Sequence, residues 1–513
     1  MTGIVLQNAC IWGFVASHWR GLWLQAMRLM FLIMFWEGVA GRGDSQVAAP
    51  PYEVIAERYS TAPSVLDFAP VGYVATESNM ALPYPAGEEF TSKSNDETED
   101  ALANRIKQVE QDLAKHLESE KKKKEEDKKK PLIKPRGRLH SDANWFHQSG
   151  NNRLQINDID DGVYARRARL GFDGSFMEST EVRLDYEMGA PGHPSLFDAY
   201  GNLLHVPFFG TMRMGQFREP FSLEAQTSSN FYTFMERAYN TSFDPSRNWG
   251  VMFYNHNSAE TLTWAVGAFR DQTNFFGADV TDSGGRAFTG RMTWLAHYSE
   301  ENDGDDFWEI GSSYSYRDPK NDRVNYPVKP LNFLLETGRN SNDTFNVPNI
   351  LQLENRNAES VQLYGLETTR TLGALNLQAE YIALVMDLPG ASYYSHGSYA
   401  QASYFLTGEH RRWNRSLGTF APTKVSNPFL TRQGKGFQGT GAWEIALRWC
   451  DINIQGTPGG NAILGYSSAT TAGLNWYLNE NVRMMFNASP IQLHSQSLVG
   501  AINVFNMRLD MHF

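Results

Sequence analysis

The 513-residue chain contains two cysteines, Cys10 and Cys450, too few for a disulfide framework or a cysteine-built zinc or iron–sulfur site. Long apolar runs are also missing. Beyond the N-terminal segment none approaches the ~18–20 residues of a membrane helix, which excludes a polytopic helical membrane protein. Basic residues are in deficit, 46 against 57 acidic, for a formal net charge of −11. A nucleic-acid binder of this size would carry a basic excess or a basic face, so no nucleic-acid partner is expected. GxSxG, HExxH and P-loop signatures are absent, as are clustered histidines. A serine–histidine pair could be assembled around His297 or His396 by proximity alone, with nothing in the spacing to favour it. The chain is expected to be no enzyme and to need neither metal nor cofactor.

The N-terminal part divides by composition. Residues 1–43 hold a short apolar core, Leu29–Trp36, behind Arg20 and Arg28 and ahead of Gly38, Ala40 and Gly41. This reads as a secretory signal peptide, with a start at Met27 or Met30 giving an ordinary n-region; an uncleaved anchor is the alternative. Residues 44–96 are rich in proline, serine and threonine with little periodicity and read as a disordered linker. Residues 97–130 carry Leu102, Ile106, Val109 and Leu113 at 4-3-4 spacing, then the run Lys121–Lys130. The spacing predicts either the seam of a short coiled coil or a single solvated helix, followed by a charged spacer. Two heptads are too few to stand alone, so a coiled coil here would need an oligomer already held together elsewhere.

From residue 138 to 513 alternation of period two takes over. Val182, Leu184, Tyr186 and Met188 oppose Arg183, Asp185 and Glu187. Trp443, Ile445, Leu447 and Trp449 oppose Glu444, Ala446, Arg448 and Cys450. Phe505, Met507, Leu509, Met511 and Phe513 oppose Asn506, Arg508, Asp510 and His512. The apolar face is rich in Trp, Tyr and Met at strand ends, as a membrane-interface girdle requires. Fully charged residues line the other face, with no sign of a second apolar layer. Connections alternate between tight (Asn479–Asn481) and long (218–247, 318–359). These features predict an all-β fold, a closed antiparallel transmembrane barrel, because an open edge would leave backbone groups unpaired in lipid. Sixteen strands are expected, beginning near 138, 163, 181, 196, 210, 248, 261, 286, 308, 360, 375, 398, 443, 464, 482 and 501. A barrel of that size is expected to hold an aqueous lumen instead of a packed core. Residues 410–442 fall on the terminal side by strand parity and are long for a turn there, which leaves either two misplaced strands or an insertion.

An ordered series of short motifs carries a resemblance. Arg166–Gly171 is followed by Gly174, then Asp198-Ala199-Tyr200, Gly215–Ser222, Thr227-Ser228-Ser229 and Phe234–Ala238. Gly441–Glu444 and Gly473–Leu478 come later. In this order, over most of the barrel, they resemble the phosphate-selective porin O and P family of outer-membrane proteins. The resemblance implies a homotrimer in outer-membrane lipid, sixteen strands and passive diffusion of small inorganic anions. It implies a third loop folded inward to narrow the pore, here Glu219, Pro220, Phe221, Ser222 and Glu236. The terminal Phe513 looks like the signal read by the barrel-assembly machinery, and the N-terminal region would be periplasmic.

The expected ion pathway comprises Arg167, Arg169 and Arg183 on the lumen face, with Arg213, Arg218, Arg237 and Arg291 near the inward loop. Guanidinium stays charged and presents a fork to oxyanions. The alternative is that these arginines pair with Asp185, Glu187, Glu219 and Glu236 and only hold strands and loop in place. The resemblance also implies lysines near the constriction, yet residues 138–513 contain four lysines against 29 basic and 38 acidic residues in all. A general or cation-preferring porin, or a barrel that serves only to tether the envelope, therefore stays open.

Overall fold

The structure is a computed structural model describing residues 131–513, apart from Asn157, 190–194, 272–283, Asn302, 333–346, 434–435, 458–460 and 496–498. It also describes part of a helix between residues 104 and 119, on which Val109 and Leu113 are exposed. The expected signal peptide, linker and Lys121–Lys130 spacer lie outside the described residues. The helix is present, but a coiled-coil partner is not part of the structure.

Sixteen antiparallel strands close into one barrel, each paired with its neighbours in the chain and the last with the first. In order they are β1 (Leu132–Gln148), β2 (Gly162–Phe176), β3 (Thr180–Glu187), β4 (Ser195–Val206), β5 (Gly210–Arg218), β6 (Arg247–His256), β7 (Leu262–Arg270) and β8 (Arg286–Tyr298). They continue as β9 (Asp306–Asp318), β10 (Ser360–Leu372), β11 (Leu375–Leu388), β12 (Ala391–Phe405), β13 (Ala442–Ile454), β14 (Gly465–Asn479), β15 (Val482–Ser495) and β16 (Val499–His512). All but two of the expected starts fall within two residues of the observed ones. The exceptions are β1 and β12, which begin earlier because their first residues pair on one side only. Leu132–Arg136 pair with β2 alone before Gly137 exchanges backbone hydrogen bonds with Phe513 and β16 joins at Arg138, and Ala391–Ser395 pair with β11 before β13 joins at His396. A strand with one open side can carry Pro135, whose missing N–H costs no ladder bond there.

Trp, Tyr and Phe stand outward near both ends of the wall, for example the stacked Trp443–Trp476 pair at 5.1 Å toward the terminal end and the Tyr314–Tyr364 pair toward the other. Two short helical pieces went unread in the sequence, Gly150–Ile156 and the single turn Leu223–Gln226, since neither is long enough to show a helical period. Residues 406–441 are an insertion at the terminal end of the barrel, and every strand around it is in place. Two small hairpins lie within it, Trp413–Asn414 with Thr419–Phe420 and Thr431–Gln433 with Gly436–Gln438.

The lumen departs from the expectation of an aqueous interior. On β10–β16 most lumen-facing residues of the half away from the termini are apolar and buried, including Val361, Leu363, Ile382, Leu384, Ile452 and Ile502. They form one core with residues of the connections that return into the barrel: Phe221, Ala238, Tyr239 and Phe243 after β5, and Val324, Val328 and Leu351 after β9. The second apolar layer that the sequence did not reveal is therefore supplied by loops. It covers only part of the wall. On β1–β6 the lumen side chains Arg136, Arg138, Arg183, Tyr200, Arg213 and Tyr254 remain half-buried and in contact with solvent.

Candidate functional site

Alternation sets the face of each arginine. Arg167, Arg169, Gly171 and Asp173 share one side of β2, and Arg183, Asp185 and Glu187 share one side of β3, as expected from their spacing. A β-bulge adds one more. Arg167 pairs with His140 and Ala165 with Ser141, so Arg166 is the extra residue. Such a residue kinks the strand and re-aims its side chain. Arg166 is completely buried, although strict alternation would send it to the lipid. A second bulge frees Phe197 in β4, opposite Asp185 and Tyr186.

The segment between β5 and β6 lies against lumen-facing side chains around the barrel. Arg166 Nε lies 2.9 Å and Arg508 Nη2 2.8 Å from Glu236 Oε1, with both guanidiniums fully buried. Arg508 is also bidentate to Asp142 at 2.7 Å. Arg317 reaches Glu219 at 2.9 Å, and Arg448 reaches Glu224 at 3.2 Å. Ser222 sits at φ 63°, caps the turn through Ala225 N, and donates to Glu380 at 2.5 Å. Pro220 is buried where β5 ends, and Phe221 is buried in the loop core. Burial would raise the Glu236 carboxyl, but the guanidiniums of Arg166, Arg508 and Arg167 outweigh it and hold the group below the usual glutamate range.

The insertion meets this segment from the terminal side. Arg411 donates to the carbonyl of Phe231, and Arg291 Nη2 donates to Gly418 O at 2.8 Å. Trp413 and Phe420 pack with Phe307, Leu295 and Leu223 in a closed apolar cluster. Side chains from both ends of the barrel thus converge inside it.

The expected ion-path residues divide in two. Arg291 is buried and held by Glu367 at 2.9 Å, as Arg166 and Arg508, outside the expected set, are buried and held by Glu236 and Asp142. Arg237 donates to the carbonyls of Glu224 and Ala225 within the loop, and Arg167 contacts His140 at 3.2 Å. The other group follows β2–β6, where exposure rises from nearly buried at Arg169 and Arg218 to solvent contact at Arg183, with Arg247, outside the expected set, between them. Arg218 pairs with Asp244, Arg247 with Asp198 at 2.8 Å and Arg169 with Glu187 at 2.6 Å. Arg183 pairs with Asp173 at 2.6 Å, their side chains 34% and 44% exposed against 0% for Arg166 and Arg508, which places water on this wall. Of the arginines expected to pair with Asp185, Glu187, Glu219 or Glu236, Arg169 pairs with Glu187, whereas Asp185, Glu219 and Glu236 pair with Arg136, with Arg317, and with Arg166 and Arg508, which were not among them.

Two wall arginines are different. Arg213 donates to Asn202 Oδ1 at 2.9 Å and to the Tyr254 hydroxyl at 3.3 Å, and Arg138 donates to Ser229 and Ser228. Among the described residues neither has a carboxylate within ion-pair distance. Aromatic rings interleave with the cations. The Arg169 and Arg247 guanidiniums lie 3.5 Å and 3.6 Å over Phe197, and that of Arg213 lies 4.0 Å over Tyr200.

Sequence reading missed Arg138, Arg166, Arg247, Arg317, Arg448 and Arg508 as site residues, and also Arg483, which pairs with Asp510 at 2.8 Å and donates to the Tyr232 carbonyl at 2.6 Å. Arg448 and Arg508 were already on the charged face by alternation, so their signal was present. For Arg166 there was none, because the bulge is a property of the pairing with β1.

Comparison with known proteins follows the same outline. A family model described as phosphate-selective porin O and P matches residues 133–513. Porin O of Pseudomonas aeruginosa is 22% identical over 375 residues, covering 68% of this chain and 80% of that protein. Among solved structures the chain is similar to an anion-selective porin from Comamonas acidovorans, at 13% identity and TM-score 0.44, covering 75% of this chain and 100% of that one. It is similar also to a loop L8 deletion mutant of OmpT, an outer membrane protein of Vibrio cholerae, at 9% identity and TM-score 0.45, covering 75% and 99%. Family and barrel together point to a channel rather than an enzyme. Because the family model spans the barrel from its first strand to its last residue, the chain belongs to the phosphate-selective porin O and P family and is an outer-membrane porin.

Proposed function

We propose that the protein conducts small anions passively along the arginine-bearing wall β1–β6. The observation that carries this reading is that Arg213 and Arg138 face the lumen without a carboxylate partner among the described residues, while most other cations of that wall are matched by acids. Local lining, not the overall acidic balance, sets the field that a permeating ion meets. Several paired guanidiniums around two unpaired ones give weak stations in series, which lets an anion enter without being trapped.

The segment Glu219–Ser246 narrows this path. Its ion pairs to several strands support a fixed constriction, and burial makes those pairs costly to break. Three trimer protomers in the outer membrane, the helix at 104–119 on the periplasmic side as a coiled coil, and recognition of Phe513 by the assembly machinery complete the reading. The exposed Val109 and Leu113 support an intermolecular seam.

The test is the zero-current reversal potential of the purified protein in a planar bilayer under a potassium chloride gradient. Anion preference is expected, and Arg213→Ala with Arg138→Ala should shift the potential toward the cation value. A unit charge about 4 Å from an ion in water is worth ~1 kcal/mol, so each variant should lower the anion preference about fivefold. Cation preference in the wild type would refute the anion path and leave a general porin.

A further inference from the structure

We propose that Arg213 and the rings around it form a station for singly charged carboxylates bearing an apolar or aromatic body, and that this station favours them over phosphate. The proposal rests on the anion path described above and names the solute class that one station on it suits.

Arg213 is the cation of the wall set among rings. Its guanidinium carbon lies 4.0 Å from the centroid of Tyr200, 5.1 Å from Tyr254 and 5.5 Å from Phe217. Phe217 continues into an apolar cluster with Met252, Phe269 and Ala287. Tyr200 and Tyr254 are half-buried, so part of this aromatic surface faces water. Asn202 and Tyr254 engage one N–H each, and the rest of the guanidinium fork has no partner among the described residues. A planar fork held against rings is weakly hydrated and matches a carboxylate two-point, edge to edge.

Charge count sets the valence. A second cation, Arg183, lies 5.8 Å from the same Tyr200 ring but is bonded to Asp173. Arg213 thus supplies a single cation without a direct ion pair among the described residues, and Asp173 and Glu181, which accepts from Asn202 at 3.0 Å, would repel a second negative charge. A phosphate dianion would give up strongly bound water at two charges for one guanidinium, and it gains nothing from the rings. A benzoate gives up less water and covers apolar surface as it binds.

The full-length protein in a planar bilayer, carrying chloride current, supplies the test. Benzoate, acetate and phosphate at pH 8 are added in turn, and the concentration that halves the current is measured for each. Benzoate is expected to act at a concentration on the order of tenfold below that of acetate or phosphate. Arg213→Lys keeps the charge but loses the fork and the stacking. It should lose the benzoate advantage, with the heat resistance of the barrel in gel electrophoresis certifying that the variant is folded. Tyr200→Leu should lose it as well. Phosphate acting at or below the benzoate concentration would overturn the proposal, and so would a benzoate advantage unchanged in both variants. Absence of any chloride preference in the wild type is a separate result: it removes the anion path itself.

Discussion

Glu236→Gln isolates the charge that anchors the loop after β5. Gln keeps the size of the side chain and one acceptor, but removes the carboxylate shared by Arg166 and Arg508, whose side chains are fully buried. Removing one partner of a buried pair costs ~3–5 kcal/mol, because a desolvated charge is left behind. Arg508 keeps its bidentate bond to Asp142, so the low end, about 3 kcal/mol, applies. At 1.36 kcal/mol per tenfold, local opening of the loop should rise roughly a hundredfold. Glu219–Arg317 and Glu224–Arg448 remain, so opening is confined to the stretch around Tyr232–Tyr239 and the barrel stays folded. Single-channel recording reads this as frequent transitions to a higher conductance, absent from the wild type at neutral pH. The carboxyl is held below its ordinary range, so its stabilisation is complete above the unfolded value of about 4.3 and is lost as pH falls through the depressed one. The wild type should therefore behave alike at pH 7 and pH 5 and acquire the same transitions only in stronger acid. A folded Glu236→Gln channel with wild-type recordings would refute the idea that this carboxylate holds the loop.

Two further substitutions address the insertion and the wall. Trp413→Ala empties a cluster in which the indole lies 5.3 Å from both Phe307 and Phe420, at a cost of ~3–5 kcal/mol. Limited proteolysis should then cut within residues 410–421 far faster than in the wild type, with the heat resistance of the barrel retained; unchanged cleavage would contradict this docking. Gly215→Ala places a Cβ 2.2 Å from Ala199 O at φ 130°, so the yield of folded barrel on refolding should fall sharply. Gly150→Ala meets nothing within 4 Å and serves as the tolerated control.

Much of the wall was legible in the sequence. Period-two alternation is local to a strand, so it fixed the lumen faces of Arg167, Arg169 and Arg183 and of the last strand without knowledge of the partner strands. Closure into sixteen strands also followed, because lipid leaves no tolerated alternative for a strand edge.

Which lumen positions are wet did not follow. Val361, Leu363, Ile382 and Leu384 alternate like any lumen residues, and only the loops that return to cover them make them a core. The bulge that turns Arg166 inward depends on the register with β1. The pairing of Arg508 with Glu236 spans a separation of 272 residues. Alternation determines the face of a side chain from its immediate neighbours. What that face meets depends on segments distant in the chain, which only the closed barrel brings together.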